Sequence, residues 1–233
     1  MANLIAASLV FLGIHLFISG TRIRDVLVGT LGERPYMGLF SLTSLAVLVW
    51  LAMAFNRAGV VPGSAADPLL YSLGRGAHDA ALPIVAIAFL LGVPGLLTPN
   101  PTSVNAEKLT AKPDTVRGVL RITRHPFLWG TAIWSADHLS TNGDQAGVIF
   151  FGTFLLLALF GTVSIDAKRR RKLGPAWEGF AVQTSNVPFA AILSGRNSFR
   201  AWEYFDWRFA AAAILFLAML FGHVYIFGVS PFP

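Results

Sequence analysis

Five histidines are the residues of this chain best suited to bind a metal or a cofactor: His15, His78, His125, His138 and His223. Imidazole is the commonest protein ligand of haem iron, and it also binds copper. The chain has no cysteine, which excludes disulfides, thiolate ligands and a cysteine nucleophile. A histidine between helices can equally be a hydrogen-bonded structural residue, so its position along the chain has to separate the two roles.

His15 and His138 are the strongest ligand candidates because both lie inside long apolar stretches of the sequence. At helical spacing, His15 shares a face with Phe11, and His138 shares one with Trp134 and Ser135. Such faces can be directed into a helix bundle. We therefore expect these two imidazoles to point away from lipid.

His15 and His138 are predicted to lie at different depths in the membrane, which restricts how both could bind one iron. His138 lies about 20 Å along a helix from His125, whereas His15 lies about 10 Å from the end of its own stretch on the same side. A macrocycle between them must be tilted, or the helix of His138 must be kinked or start lower. His78 and His125 precede apolar stretches and are expected at the interface, and His223 is a weaker third candidate.

A second group of chemically active residues is Arg121, Arg124 and His125, directly before Pro126. Proline suits the first turn of a helix, where no backbone N–H is needed. The basic side chains would then line the end of that helix and could hold an anion, a lipid headgroup or a propionate. The alternative is a simple basic anchor beside a proline helix start.

The composition shows which elements must position these residues. Charged residues make up 13% of the 233 positions, about half of the roughly 25% usual in soluble domains. Hydrophobic residues make up 55%, and the mean hydropathy is +0.62. This composition excludes a soluble globular enzyme and predicts a lipid bilayer as the main solvent.

Six apolar stretches are long enough to be considered as membrane spans. They predict an all-α, polytopic membrane protein, a six-transmembrane-helix bundle that forms one domain over residues 1–233. The fourth stretch is short and contains Asp137 and His138, so we expect it to be one arm of a tight helical hairpin with an inward polar face. The predicted spans are 3–20, 38–55, 80–97, 126–141, 146–165 and 209–228.

The basic residues predict the orientation. With six spans, sixteen of the 18 Lys and Arg residues fall on the side reached after spans one, three and five, and only Arg57 and Arg75 fall on the other. Since basic loops stay cytoplasmic, both termini are predicted to be periplasmic. This distribution also argues against a nucleic-acid partner, although the net charge is +6.

The non-spanning parts of the chain follow from the same pattern. Segment 168–200 is predicted to lie at the cytoplasmic interface, with a short helix that begins at Pro175. The first apolar stretch has no preceding basic residue and no small-residue cleavage site, so we expect an uncleaved first span.

Five motifs carry a resemblance to a known family. They are Gly-Ile-His15-Leu-Phe-Ile-Ser-Gly, Arg34-Pro-Tyr36, Thr123-Arg-His-Pro126, Trp134-Ser-Ala-Asp-His138 and Ala176-Trp-Glu178. Over nearly its full length the chain resembles the NnrU family of bacterial membrane proteins. That family is associated with nitric oxide and nitrite reduction in denitrifying bacteria, and it is related to zeta-carotene isomerase, a membrane enzyme that uses haem b.

The resemblance implies a protein of the bacterial cytoplasmic (inner) membrane that binds haem b through His15 and His138. Arg121, Arg124 and His125 would then lie near a propionate or another anion. It implies a redox, sensing or isomerase-like role and a nitric oxide or nitrite reductase system as partner, while catalysis itself is left open.

The chain also departs from the isomerase. Ser135 stands where the isomerase has a cysteine, and Asn56 stands where it has a further histidine.

Two alternatives come from other functional classes. Arg124-His125-Pro126 is similar to the Arg-His-Pro start of the isoprenylcysteine and phospholipid methyltransferases, so this chain could be a membrane methyltransferase that binds S-adenosylmethionine near His125 and residues 177–180. It could also be a non-catalytic assembly factor that holds a nitrogen-oxide reductase with its basic segment.

Overall fold

The computed structural model describes residues 1–59, 61–103, 106, 109–110 and 114–232. These residues form ten α-helices and contain no named β-strand. The helices are α1 (Ala2–Gly13), α2 (Ile23–Leu31), α3 (Glu33–Ala58), α4 (Arg75–Leu97), α5 (Val119–Ile122), α6 (Pro126–Thr141), α7 (Gln145–Leu173), α8 (Pro175–Gln183), α9 (Ala190–Leu193) and α10 (Trp207–Phe227). A π-helical turn, Ile14–Ser19, follows α1, and a 3₁₀ turn, Ala201–Glu203, precedes α10. The all-α prediction is confirmed for the described part of the chain.

Local sequence explains where several helices begin and end. α6 begins at Pro126 and α8 at Pro175, where the missing N–H of proline costs no hydrogen bond. Asp144 caps α7 by accepting from the Gly147 N–H at 2.7 Å, and Asp206 caps α10 by accepting from the Arg208 N–H at 2.8 Å.

Five helical segments are long and apolar enough to cross a membrane: Ala2–Ser19, Glu33–Ala58, Arg75–Leu97, Gln145–Leu173 and Trp207–Phe227. They correspond to five of the six predicted spans, and they indicate a multi-pass membrane protein. The predicted fourth span is the helix α6, which has 16 residues. The sixth crossing and the orientation of the termini stay predictions. The sequence pattern did not indicate α2, because it selects only runs long enough to cross a bilayer.

The chain groups into two compact units, which are described separately. The first unit contains residues 1–77 and 135–161, and the second contains residues 78–134 and 162–233. The helices α4, α6 and α7 continue from one unit into the other. The core of the first unit is formed by α1, α3 and the start of α7, through Leu4, Ala7, Phe11, Leu51, Ala54 and Ala146.

In the second unit, glycines allow two helices to approach closely. The backbones of α4 and α6 meet at Gly92 and Gly130, where a Cβ on Gly130 would lie 2.6 Å from the Gly92 Cα. Small residues at helix crossings are typical of membrane proteins, in which van der Waals packing drives helix association. This contact packs the N-terminal half of α6 directly against the apolar helix α4.

Candidate functional site

The first candidate site is centred on His15 in the first unit. The His15 Nδ1 lies 2.8 Å from the Phe11 carbonyl oxygen, and the Nε2 lies 3.2 Å from the Ser44 hydroxyl oxygen. Because a carbonyl oxygen can only accept, the Nδ1 carries the proton and the Nε2 accepts from Ser44. Histidine ligands of metals usually donate their second N–H to a carbonyl or carboxylate in this way. His15 is therefore held in the tautomer that a ligand bonding through Nε2 requires.

His15 lies within the π-helical turn that continues α1. Short π-helical turns inside α-helices occur frequently at functional sites. The turn ends at Gly20, and a Cβ there would overlap with the Leu16 carbonyl oxygen. The glycine after the histidine is thus a local sequence signal for this geometry, although the sequence analysis did not detect the π turn.

His138 is the second histidine of the first unit. It lies on α6, and its side chain is one-fifth exposed. The His138 Nδ1 lies 3.9 Å from a carboxylate oxygen of the buried Asp137. The imidazole also packs against Phe151 in α7, with 4.7 Å between ring centroids. His138 therefore combines an apolar ring contact with a nearby carboxylate.

A continuous series of phenylalanine contacts connects the two histidines within the first unit. Successive ring centroids lie between 4.5 and 5.7 Å apart. The order of the rings is His15, Phe11, Phe154, Phe150, Phe151 and His138. Both imidazoles thus lie at the edges of one aromatic region contributed by α1, α6 and α7.

The candidate ligands of the first unit are of the chemical type that binds haem iron. Two imidazoles are present, one of them with an oriented Nε2, and the surrounding phenylalanines provide an apolar environment. The described residues contain no group of three or more His, Asp or Glu side chains arranged to hold a metal ion. Two imidazoles are the donors that a haem iron with two protein ligands would need.

The second candidate site lies in the second unit, where Arg124 and His125 share one carboxylate. The guanidinium of Arg124 donates to both carboxylate oxygens of Asp166 at 2.7 to 3.0 Å, and the His125 Nε2 lies 2.7 Å from Asp166 Oδ1. Backbone contacts hold this segment, since the Asn100 amide donates to the Arg124 carbonyl at 3.0 Å and the Arg124 N–H donates to Ser185. Asp166 thus brings together two of the three residues predicted to bind an anion.

His125 is buried, with 2% of its surface exposed. Burial lowers the pKa of His125 below its usual range, an effect that the hydrogen bond to Asp166 opposes. In the neutral form of the ring, the proton lies on Nε2, which faces Asp166. The Nδ1 is buried and makes no hydrogen bond to the described residues.

Arg121, the third predicted anion-binding residue, is paired with Glu203. Its guanidinium donates to both carboxylate oxygens at 2.7 and 3.0 Å and to the Asn197 amide oxygen at 2.6 Å. Burial would raise the pKa of Glu203, but the hydrogen bonds from Arg121 and from the Gly118 N–H outweigh it and hold this pKa below its usual value. The charge of Arg121 is therefore already compensated by the protein.

The remaining histidines have different surroundings. His78 is exposed on α4. His223, on α10, lies with its Nδ1 2.8 Å from the Val229 carbonyl oxygen. That contact favours a structural role at the end of the helix.

Sequence reasoning did not identify Ser44, Asp166 or Glu203 as members of these sites. Each lies 29 to 82 residues from its partner in the chain, so local spacing carries no sign of the contact. Asp166 alone had a usable signal, since it is a carboxylate at the junction of an apolar stretch and a run of basic residues.

Comparisons with known proteins agree with this architecture. A family model described as NnrU protein matches residues 3–231. Two relatives are named 15-cis-zeta-carotene isomerase, chloroplastic. The one from Zea mays is 33% identical over 109 residues, or 46% of this chain and 30% of the relative. The one from Arabidopsis thaliana is 32% identical over 80 residues, or 34% of this chain and 22% of the relative.

The chain therefore spans less than a third of the length of either curated relative. No solved structure matches it. Because the family match extends over nearly all 233 residues, the chain belongs to the NnrU protein family.

Proposed function

We propose that this chain is a protein of the bacterial cytoplasmic membrane that binds haem b through His15 and His138. The observation that carries the proposal is the geometry of His15, whose Nδ1–H is held by the Phe11 carbonyl so that the Nε2 keeps its lone pair. Phenylalanine rings contact both imidazoles and would give a bound cofactor apolar surroundings. Two relatives of this chain carry the name of an isomerase, 15-cis-zeta-carotene isomerase.

The two histidines of this site and their neighbours would hold and orient the haem. His15 would bind through its Nε2, which accepts from the Ser44 hydroxyl in this structure. His138 would supply the second imidazole, and the Asp137 carboxylate lies 3.9 Å from its Nδ1. A haem held by these residues would supply a one-electron couple.

The biological role that we propose is redox or sensing support of a nitric oxide or nitrite reduction system, with its reductase as partner. An isomerase-like role is the second candidate, and the names of the two plant relatives favour it. The two roles make different demands, because isomerisation needs a polyene substrate in the membrane. Extraction and chromatography of carotenoids from zeta-carotene-producing cells that express this chain separate them, since an isomerase changes the cis–trans profile and a redox protein does not.

The haem proposal is tested by the absorption spectrum of the chain purified in mild detergent after expression with added haem precursor. We expect a Soret band and a reduced-minus-oxidised spectrum typical of two imidazole ligands. His15→Ala and His138→Ala should each lower the haem content by about tenfold or more. His78→Ala is the matched control, because His78 is exposed and should leave the haem content unchanged.

A wild-type protein without a Soret band after haem supplementation would overturn the proposal. Equal haem loss in all three variants would overturn the assignment of the ligands. Far-ultraviolet circular dichroism of each variant distinguishes loss of a ligand from loss of the fold.

We also propose six membrane crossings with both termini periplasmic. The support comes from contacts of the loop between α3 and α4 with the turn between α6 and α7, both within the first unit. The Leu70 N–H donates to the Gly143 carbonyl at 2.8 Å, and the Gln145 N–H donates to the Pro68 carbonyl at 3.0 Å. The chain leaves this loop through α4 and returns to it through α6, which supports a crossing by α6 as well as by α4.

The methyltransferase alternative is less well supported. The lining of the cavity beside Arg124 and Glu178 includes three arginines, and an excess of guanidinium groups disfavours the cationic sulfonium of S-adenosylmethionine. Calorimetric titration with that cofactor tests this alternative directly. The assembly-factor alternative predicts that the chain co-purifies with a reductase and tolerates replacement of every histidine.

A further inference from the structure

A cavity of about 380 Å³ opens in the second unit beside the charged end of α7. Its wall is formed by the end of α7, by α8 and by the segment that leads to α9. The charged residues of the wall are Arg124, Arg170, Arg196 and Glu178. The positive charges outnumber the negative one, and this cavity is separate from the histidines of the proposed haem site.

The three arginines differ in how their charge is compensated. Arg124 is neutralised by Asp166 at 2.7 Å. Arg170 lies 2.8 Å from Glu178, but both side chains are more than half exposed, so solvent weakens the pair. Arg170 therefore keeps donors that can turn to a ligand in the cavity.

Arg196 is fixed in place without a carboxylate. Its Nη1 donates to the carbonyls of Val182 and Thr184 at 2.8 and 3.0 Å, and its Nε donates to the Ser194 hydroxyl at 2.9 Å. Among the described residues, no carboxylate lies within ion-pair distance of this guanidinium. A positive charge that is oriented by backbone carbonyls and not neutralised is a built donor for an anion.

Exposed apolar side chains surround the same cavity. Val182 and Val187 line it and are each more than half exposed. Leu193, three residues beyond the lining residue Ala190, is 85% exposed. Phe189 is also exposed, and it is the one non-glycine residue with a positive φ in the described part of the chain, at 65°. Its N–H donates to the Ile122 carbonyl at 2.8 Å, which holds this unfavourable conformation.

We propose that this cavity binds the phosphate of an anionic phospholipid. Arg196 and Arg170 contact the phosphate oxygens, and the exposed side chains of Val182 and Val187 contact the acyl chains. A phosphate group matches the forked donors of arginine, and a lipid is the phosphate carrier that also satisfies the apolar surroundings. The proposal does not depend on haem binding.

The test is titration of the full chain in dodecyl maltoside with a fluorescent short-chain phosphatidylglycerol. The comparison ligands are phosphatidylcholine with the same acyl chains and inorganic phosphate. We expect phosphatidylglycerol to bind more tightly than phosphatidylcholine and to weaken at 1 M salt, because opposite charges are then screened. Inorganic phosphate at millimolar concentration should displace little of it.

Variants assign the binding to the cavity. Arg196→Gln and Arg170→Gln should each weaken phosphatidylglycerol binding, by about tenfold for Arg196. Glu178→Gln should strengthen it, because Arg170 is released from its partner. Arg200→Gln is the matched control, since Arg200 is exposed in the same segment but does not line the cavity.

Three results would overturn the proposal. The first is equal affinity for the two lipids. The second is an equal effect of Arg200→Gln and Arg170→Gln, which would show general attraction to basic residues. The third is full displacement by inorganic phosphate or by S-adenosylmethionine, which would assign the cavity to another ligand. If Arg196→Gln does not fold, the opposite effects expected for Arg170→Gln and Glu178→Gln still decide the question.

Discussion

The ion pair between Arg121 and Glu203 illustrates how single residues hold the second unit together. Only 11% of the Arg121 side chain and 16% of the Glu203 side chain are exposed. The pair links α5 to the turn before α10, which are 82 residues apart in the chain. Removal of one partner would leave a largely buried charge without compensation, which is the costly way to break such a pair.

We therefore expect Glu203→Gln to reduce the free energy of unfolding by about 3 kcal/mol. Thermal unfolding in detergent measures the effect. Glu178→Gln is the control, since its exposed pair with Arg170 should contribute about 1 kcal/mol or less. Because the pKa of Glu203 lies below its usual value of 4.5, its contribution is complete above that pH and is lost as the pH falls through the lowered pKa. Equal stability losses in the two variants would contradict this account.

The pKa of Asp67 is raised, whereas that of Glu203 is lowered. It is fully buried in the loop between α3 and α4, and its Oδ1 accepts from the Ala146 N–H at 2.8 Å. Burial raises the pKa of Asp67, and the carboxyl of Asp144 raises it further. The protonated form therefore fits the fold better than the charged form.

The sign of the pH dependence follows from this raised pKa. The stability that Asp67 contributes is complete below its usual pKa of 3.8 and is lost as the pH rises through the raised value. Asp67→Asn keeps an oxygen acceptor and removes the charge, so we expect a higher unfolding temperature at pH 7 and no gain near pH 3.5. Asp25→Asn, at an exposed position, should show no such difference. A variant that is less stable than wild type at pH 7 would refute this reasoning.

At the scale of elements, the π-helical turn after α1 decides where His15 points. An uninterrupted α-helix would continue the register of α1 through Ile14–Ser19, whereas the π turn adds a residue to the turn and changes the direction of the side chains that follow. Gly20 permits this geometry because it lacks a side chain beside the Leu16 carbonyl.

Gly20→Ala should therefore disturb the turn and lower both thermal stability and the haem content proposed above. The expected cost is about 1 to 3 kcal/mol, which is typical of a side chain forced into occupied space. Gly13→Ala is the matched control, because a Cβ at that helical position meets no atom within 4 Å. It should be neutral or slightly stabilising, since alanine favours helix more than glycine does. Normal stability of Gly20→Ala would show that the turn tolerates a side chain.

At the scale of the whole molecule, the number of membrane crossings can be measured directly because the natural chain has no cysteine. Single cysteines at Ser72, Ser198 and Ser230 report three exposed positions. With six crossings, an impermeant maleimide added to the periplasmic side should label Ser72→Cys and Ser230→Cys but not Ser198→Cys.

A chain in which α6 does not cross gives the reverse result at two positions. Labelling would then appear at Ser198→Cys and disappear at Ser230→Cys, while Ser72→Cys would stay labelled in either case. Labelling of all three in permeabilised cells is the control for reactivity.

Much of the architecture was predictable because lipid imposes simple rules on sequence. Long apolar runs, proline starts and basic flanks depend only on neighbouring residues, so five membrane helices and the start of α8 at Pro175 could be predicted from the pattern. The family resemblance could likewise be identified from short motifs, and the family match over residues 3–231 confirms it.

Only the tertiary structure decided which charges and rings meet. The sequence predicted that Arg121, Arg124 and His125 could bind an anion. In the structure, Glu203 pairs with Arg121, and Asp166 pairs with Arg124 and His125. Both carboxylates come from distant parts of the chain. The Ser44 hydroxyl that meets the His15 Nε2 likewise comes from α3, 29 residues away in the chain. The physical reason is that helix formation responds to near neighbours, whereas compensation of a buried charge depends on whichever partner folding brings within hydrogen-bond distance.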